Sequence, residues 1–269
     1  MRHPKERIFN VPTVILYIIA ALVLIEAICD FLPPEIFLKI LQRFAFVPGR
    51  FTFAFDPDRV FAANDDLTGP GFQLDRYFLG DGRAQWWTLL TYALLHGGWL
   101  HVGMNSLWFV AFGSAVARRF GTPRFLVFCV AAALAGAATH FLTHMDSLQP
   151  VIGASAVVSG AMAAAVRFVF QPGAPLGEAL GFSERAEQDL TYRLPALPLR
   201  EIVSNRGAIS FLAFWFLANF LSGAMSGPLG VTDATIAWEA HIGGFLVGLL
   251  AFQWFDPPPI AVHRSNPAR

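Results

Sequence analysis

Ser155, His241, His101 and Asn105 are polar groups set in otherwise apolar stretches of the chain. A serine hydroxyl is a weak nucleophile until a base takes its proton. An imidazole within about 2.6–3.2 Å can do that as the oxygen attacks a carbonyl carbon. His101 and Asn105 are one helical turn apart (i, i+4) and share a face. With backbone N–H groups around Gly153 and the first turn of the Ser155 helix, they can cradle the charge that develops on the attacked oxygen. The chemistry indicated is acyl transfer through a serine.

These groups have to be positioned by membrane helices. Of 269 residues, 55% are apolar and 14% charged, against about 25% charged in a soluble domain, which excludes a water-soluble globule. A net charge of zero leaves no basic excess for a phosphate backbone, so nucleic-acid binding is not expected. A spanning helix needs about 20 apolar residues. Six segments qualify: Val11–Leu32, Trp99–Arg118, Arg124–Thr143, Val151–Phe170, Ala208–Met225 and Thr235–Phe255. Pro33-Pro34, Gly97-Gly98, Pro150, Pro172 and Pro257-Pro258-Pro259 punctuate their ends. The expected fold is all-α, a polytopic six-helix bundle. The first apolar run exceeds a signal peptide's roughly 7–15 residues and reads as a retained span.

Lys and Arg orient the bundle. The short connections 144–150 and 226–234 contain neither, whereas Arg118, Arg119 and Arg124 and a further arginine set from Arg167 to Arg206 occupy the opposite side. Both termini are therefore expected in the cytoplasm. Residues 1–10 form an inner N-terminus, 11–255 the membrane domain and 256–269 an inner tail. An outer loop over 33–96 and an inner loop over 171–206 interrupt the domain. The outer loop, rich in Phe and Trp, reads equally well as interfacial material or as a packed cap. With this topology, spans two, four and six enter from the outer face, so His101, Asn105, Ser155 and His241 share one depth. Ser155 is expected about a turn into its helix and His241 about two turns. Ala156, Gly160 and Ala164 on one helix, and Ala240, Gly244 and Gly248 on the other, place a small residue every fourth position, so the two can approach closely.

The run Leu95-His96-Gly97-Gly98-Trp99-Leu100-His101-Val102-Gly103-Met104-Asn105, then Gly153-Ala154-Ser155, then Ala240-His241-Ile242-Gly243-Gly244 with Gly248, resembles the rhomboid intramembrane serine proteases. The resemblance covers about 150 residues in order. It implies Ser155 as nucleophile, His241 as base, and His101, Asn105 and the Ser155 N–H as oxyanion donors, with His96 a further family histidine. It also implies a rhomboid-like bundle whose substrates are transmembrane segments of other membrane proteins, cut near the outer face after a small residue. No cofactor and no metal are implied. The compact form suggests a bacterial inner membrane. The chain departs from the family pattern at Ala156, where a Gly is usual, at Ser159, where a Tyr commonly stacks on the catalytic His, and at Thr88, where Trp87 is usually followed by Arg. Ala is acceptable at 156 if the backbone there is helical.

Other readings are weaker. Ser155 alone would most simply bond back to a carbonyl four residues earlier, and Ser159, a turn deeper, is the rival hydroxyl. A transporter would place ionisable groups through the whole depth. A catalytically silent, client-binding relative of the proteases would be expected to lack Ser155 or His241. Glu239 is turned about 200° from His241 and reads as a group at the span mouth, with no acidic third member for the pair. His140 and His144 have metal-ligand spacing (i, i+4), but without Cys or a third ligand they read as boundary residues. Cys29 and Cys129 lie at different depths and are not expected to pair.

Overall fold

The computed structural model describes residues 11–64, 70–170, 195–225 and 237–258. Residues 1–10, most of the inner loop, the connection 226–234 and the tail beyond 258 lie outside the described residues. Among the described residues the secondary structure is helical, with one isolated antiparallel bridge between Phe46 and Val151. Helix α1 (Thr13–Asp30) leads into a group of short helices, α2 (Pro34–Phe44), α3 (Pro48–Phe53), α4 (Pro57–Ala63), α5 (Pro70–Leu79) and α6 (Thr88–Thr91). Beyond them come α7 (Trp99–Phe120), α8 (Thr122–Thr143), α9 (Ser155–Val166), α10 (Leu199–Ile202), α11 (Arg206–Met225), α12 (Trp238–Leu250) and α13 (Phe252–Phe255).

Helices α1, α7 and α8 are long and apolar enough to cross a membrane, while α9 and α12 are apolar but shorter. Their outward faces carry large apolar side chains such as Leu24, Leu100, Val127 and Leu142, all more than half exposed, as a bilayer solvent favours. A π-helical turn at Phe109–Gly113 interrupts α7.

Helix α9 is the hub. From Ala156 to Val166 every residue is buried, and α12 and α8 pack directly against it. The small residues make this contact possible. A Cβ on Gly244 would fall 1.9 Å from the Ala156 carbonyl oxygen, and one on Gly248 would fall 2.0 Å from that of Gly160. Gly243 closes α12 on α8 in the same way, against the Ala135 carbonyl at 2.3 Å.

Two expectations are corrected. The fourth segment is helical only over 12 residues, about 18 Å of rise, because residues 151–154 form an approach to the helix in which Gly153 takes φ +122°. Ser155 is consequently the first residue of α9 and not a turn into it, and His241 lies about one turn into α12, which starts at Trp238. Of the two readings of the outer loop, packing prevails. Val47, Val60, Phe78, Leu79 and Leu148 form a separate small core. Arg50, 2% exposed, donates from Nε to the Phe78 carbonyl and from Nη1 to the Gln42 carbonyl at 2.9 Å. Burial lowers the Arg50 pKa from its ordinary value, and Asp81 opposes that shift. Trp87 donates to the Arg43 carbonyl at 2.7 Å while the Arg43 guanidinium stacks 4.2 Å from its ring, so an arginine from α2 meets the tryptophan where Thr88 does not. The cap rests on the segment leading to Ser155 through Phe46 and Val151, through Gly49 N–H to Ser147, and through Thr52 Oγ1 to Met145.

Candidate active site

Ser155 Oγ lies 2.7 Å from His241 Nε2. The other ring nitrogen, Nδ1, is 2.5 Å from Asn219 Oδ1 of α11. Asn219 Nδ2 donates to the Trp215 carbonyl one turn back at 2.8 Å, which directs the amide oxygen toward the ring. An amide oxygen only accepts, so Nδ1 carries the imidazole proton and Nε2 presents its lone pair to the serine hydroxyl. The arrangement is an imidazole in the tautomer that could accept the serine proton, oriented by a neutral third residue. Sequence reasoning missed Asn219. The signal was present, since it is a lone amide within an apolar span, but no spacing tied it to His241.

The opposite wall of the site comes from α7. Gly97 N–H approaches His101 Nδ1 at 3.4 Å, which makes Nδ1 the acceptor and Nε2 the protonated nitrogen. That Nε2–H borders the space beside Gly153. A Cβ built on Gly153 would sit 2.8 Å from His101 Nε2 and 3.7 Å from Ser155 Oγ. A side chain here would collide with the imidazole, so glycine is what lets the chain pass between the hydroxyl and His101. Asn105 is buried, and its Nδ2 bonds back to the His101 carbonyl at 3.1 Å, with its second hydrogen uncommitted by that bond.

Other N–H groups of the approach are engaged. Gly153 N–H donates to the Tyr92 carbonyl at 2.9 Å, and Ala154 N–H approaches His96 Nε2 at 3.4 Å. His96, 2% exposed, also packs edge-on against His101. These contacts hold the approach to α9, and the Ser155 N–H is left in the first helical turn, where no intrahelical acceptor exists.

The two departures on α9 have local settings. Among the described residues no non-glycine has positive φ, so Ala156 sits in ordinary helical backbone. Its methyl faces Gly136, where an added Cβ would fall 2.5 Å away; the small residue on α8 makes room for the larger one on α9. Ser159 is buried a turn deeper than Ser155, and the hydroxyl bonded to His241 is that of Ser155. Glu239 does turn away from His241, toward α8, where it meets His140 and His144. The two histidines therefore have the third partner that the sequence did not reveal. Cys29 and Cys129 are both free thiols.

Residues 83–255 match the Rhomboid domain family. Rhomboid protease GluP of Bacillus subtilis is 37% identical over 82 residues, 30% of this chain and 16% of that protein. Rhomboid protease GlpG of Yersinia pestis is 27% identical over 171 residues, 63% of this chain and 48% of that protein. A putative rhomboid protease of Bacillus subtilis, YdcA, is 33% identical over 85 residues, 31% of this chain and 42% of that protein. The chain thus spans less than half the length of each of these relatives.

Proposed function

The chain belongs to the rhomboid family, and from that premise we propose that it is an intramembrane serine endopeptidase. The observation that carries this reading is the relay Ser155 Oγ, His241 Nε2, His241 Nδ1, Asn219 Oδ1. In the reaction, His241 Nε2 takes the hydroxyl proton as Ser155 Oγ bonds to the scissile carbonyl carbon. The carbonyl π electrons move to oxygen, and that oxyanion lies near Gly153, where His101 Nε2–H, Ser155 N–H and Asn105 Nδ2 are the candidate donors. Collapse breaks the C–N bond, and the imidazolium gives its proton to the leaving amine. Water, deprotonated by His241, then releases the acyl-enzyme.

The substrate is the transmembrane segment of another membrane protein. Because a helical peptide bond is shielded by its own hydrogen bonds, the segment must unwind locally before Ser155 can reach a carbonyl, and a small residue ahead of the cut suits the crowded approach. The apolar helices and the family mark an integral membrane protein. A six-span arrangement in a bacterial inner membrane, with both termini cytoplasmic, places the site toward the outer face, where water for the second half-reaction is available.

The test is incubation of the purified protein with a generic transmembrane substrate, wild type against Ser155→Ala. Cleavage by the first and not the second is the expected result. Equal cleavage by both overturns the nucleophile assignment, and binding without cleavage by folded wild type supports a silent client-binding protein in its place.

A further inference from the structure

The cluster beside the proposed site has its own chemistry. His140, His144 and Glu239 each offer a ligand atom, and these atoms all lie within 4.8 Å of one another. His140 Nδ1 is 3.5 Å from Glu239 Oε2, and His144 Nε2 is 3.9 Å from Glu239 Oε1. His140 is 6% exposed and its Nδ1, fully buried, makes no hydrogen bond. The two imidazoles stack nearly parallel, 4.6 Å apart at an 11° interplanar angle, so both rings present nitrogens toward the same carboxylate.

Thr143 is the neighbour that can hold the tautomer of His144. Thr143 Oγ1 lies 3.0 Å from the His140 carbonyl and 3.1 Å from that of Thr139, and it is 2.9 Å from His144 Nδ1. When its single proton goes to a carbonyl, it accepts from His144 Nδ1. Nε2, the nitrogen facing Glu239, then keeps its lone pair. A histidine whose outer nitrogen is held by a hydrogen bond and whose inner nitrogen faces a carboxylate has the pattern of a metal ligand.

We propose that His140, His144 and Glu239 form a binding site for a divalent transition-metal ion of the Zn²⁺ class, joining the end of α8 to the first turn of α12. Two imidazole nitrogens and one carboxylate oxygen are donors that suit zinc and neighbouring metals over Mg²⁺ or Ca²⁺. Tetrahedral zinc with bonds of about 2.0–2.1 Å sets its ligand atoms roughly 3.3 Å apart. The observed separations therefore close onto an ion with side-chain shifts of about 1 Å. His144, half-exposed at the end of α8, supplies the entry path and an open fourth position for water. Bound metal would pin the start of α12 two residues before His241. The site stands independently of the proteolytic reading.

The test uses the full chain in detergent, stripped of metal and titrated with Zn²⁺ against a chromogenic chelator. One tightly bound ion per chain is expected, with affinity at least 10-fold weaker in His144→Gln and in Glu239→Gln and unchanged in His101→Gln. Zinc should raise the unfolding temperature of wild type and not of His144→Gln, whose substitution at a half-exposed helix end leaves the helical circular dichroism intact. X-ray absorption on zinc-loaded wild type should report two imidazole nitrogens in the first coordination shell. Absence of binding, retention of full affinity by both Gln variants, or loss of the ion through His101→Gln would overturn the proposal. The last result would place the zinc among His96, His101 and His241.

Discussion

Asn219 Oδ1 meets His241 Nδ1 at 2.5 Å across 22 residues of sequence, on the side of the ring opposite Ser155. The bond ties α11, whose Trp215 stacks on Phe245 of α12, to the orientation of the proposed base. Replacing Asn219 with Leu removes the acceptor and frees the ring to take the other tautomer. Cleavage should fall about 10- to 100-fold, with substrate KM little changed. Asn219→Asp, which restores an acceptor, should recover part of the loss. A Leu variant as fast as wild type would remove Asn219 from the relay.

The approach of α12 to α9 should tolerate no Cβ at position 244. Gly244→Ala brings a methyl to 1.9 Å from the Ala156 carbonyl oxygen, and the helices must separate. Overpacking of this kind costs about 1–3 kcal/mol or more. A marked drop in unfolding temperature, together with loss of activity as Ser155 and His241 move apart, is the expected outcome. Gly103→Ala is the control, since a Cβ there meets nothing within 4 Å and Ala is the better helix former. Thermal unfolding in detergent, monitored by circular dichroism, separates the two.

Arg50 should hold the cap closed. Its side chain supplies donors to the carbonyls of Phe78 and Gln42 from a buried position. Arg50→Met keeps much of the apolar stem but leaves two acceptors without these donors, at about 1–3 kcal/mol each when buried. Limited proteolysis should then cut within the cap at protease concentrations that leave wild type intact. Equal resistance of the two proteins would show that the small core around Val60 and Phe78 holds the cap alone.

The α9–α12 contact was legible because its signal is periodic: small residues at every fourth position on two segments can be read before either helix is seen. Ser155 and His241 were legible as polar groups on those same segments. The start of α9 was not, since Val151 to Ala154 are as apolar as the helix they lead into, and hydropathy does not distinguish an extended approach from a helical turn. Asn219 carried no spacing signal, and its role depends on which helix α11 leans against. Glu239 is the reverse case. Helical geometry turned it away from His241, but its partner there, the end of α8, is set by tertiary packing that no local pattern records.

The proposed oxyanion donors near Gly153 can be separated experimentally from the proposed nucleophile. His101→Ala removes the Nε2–H beside Gly153, and Asn105→Ala removes an amide one turn further on. Each should slow cleavage about 10- to 1000-fold without abolishing it, because the Ser155 N–H remains. Ser155→Ala should eliminate acyl-enzyme formation altogether. A serine-directed phosphonate reads the difference without any substrate: wild type should label at Ser155, the His101 and Asn105 variants should label more slowly at the same residue, and Ser155→Ala should not label. Label on Ser159, one turn deeper, would transfer the nucleophile to that residue. Unchanged labelling rates in both donor variants would mean that the charge is held by the backbone of α9, with the imidazole of His101 merely packing against Gly153.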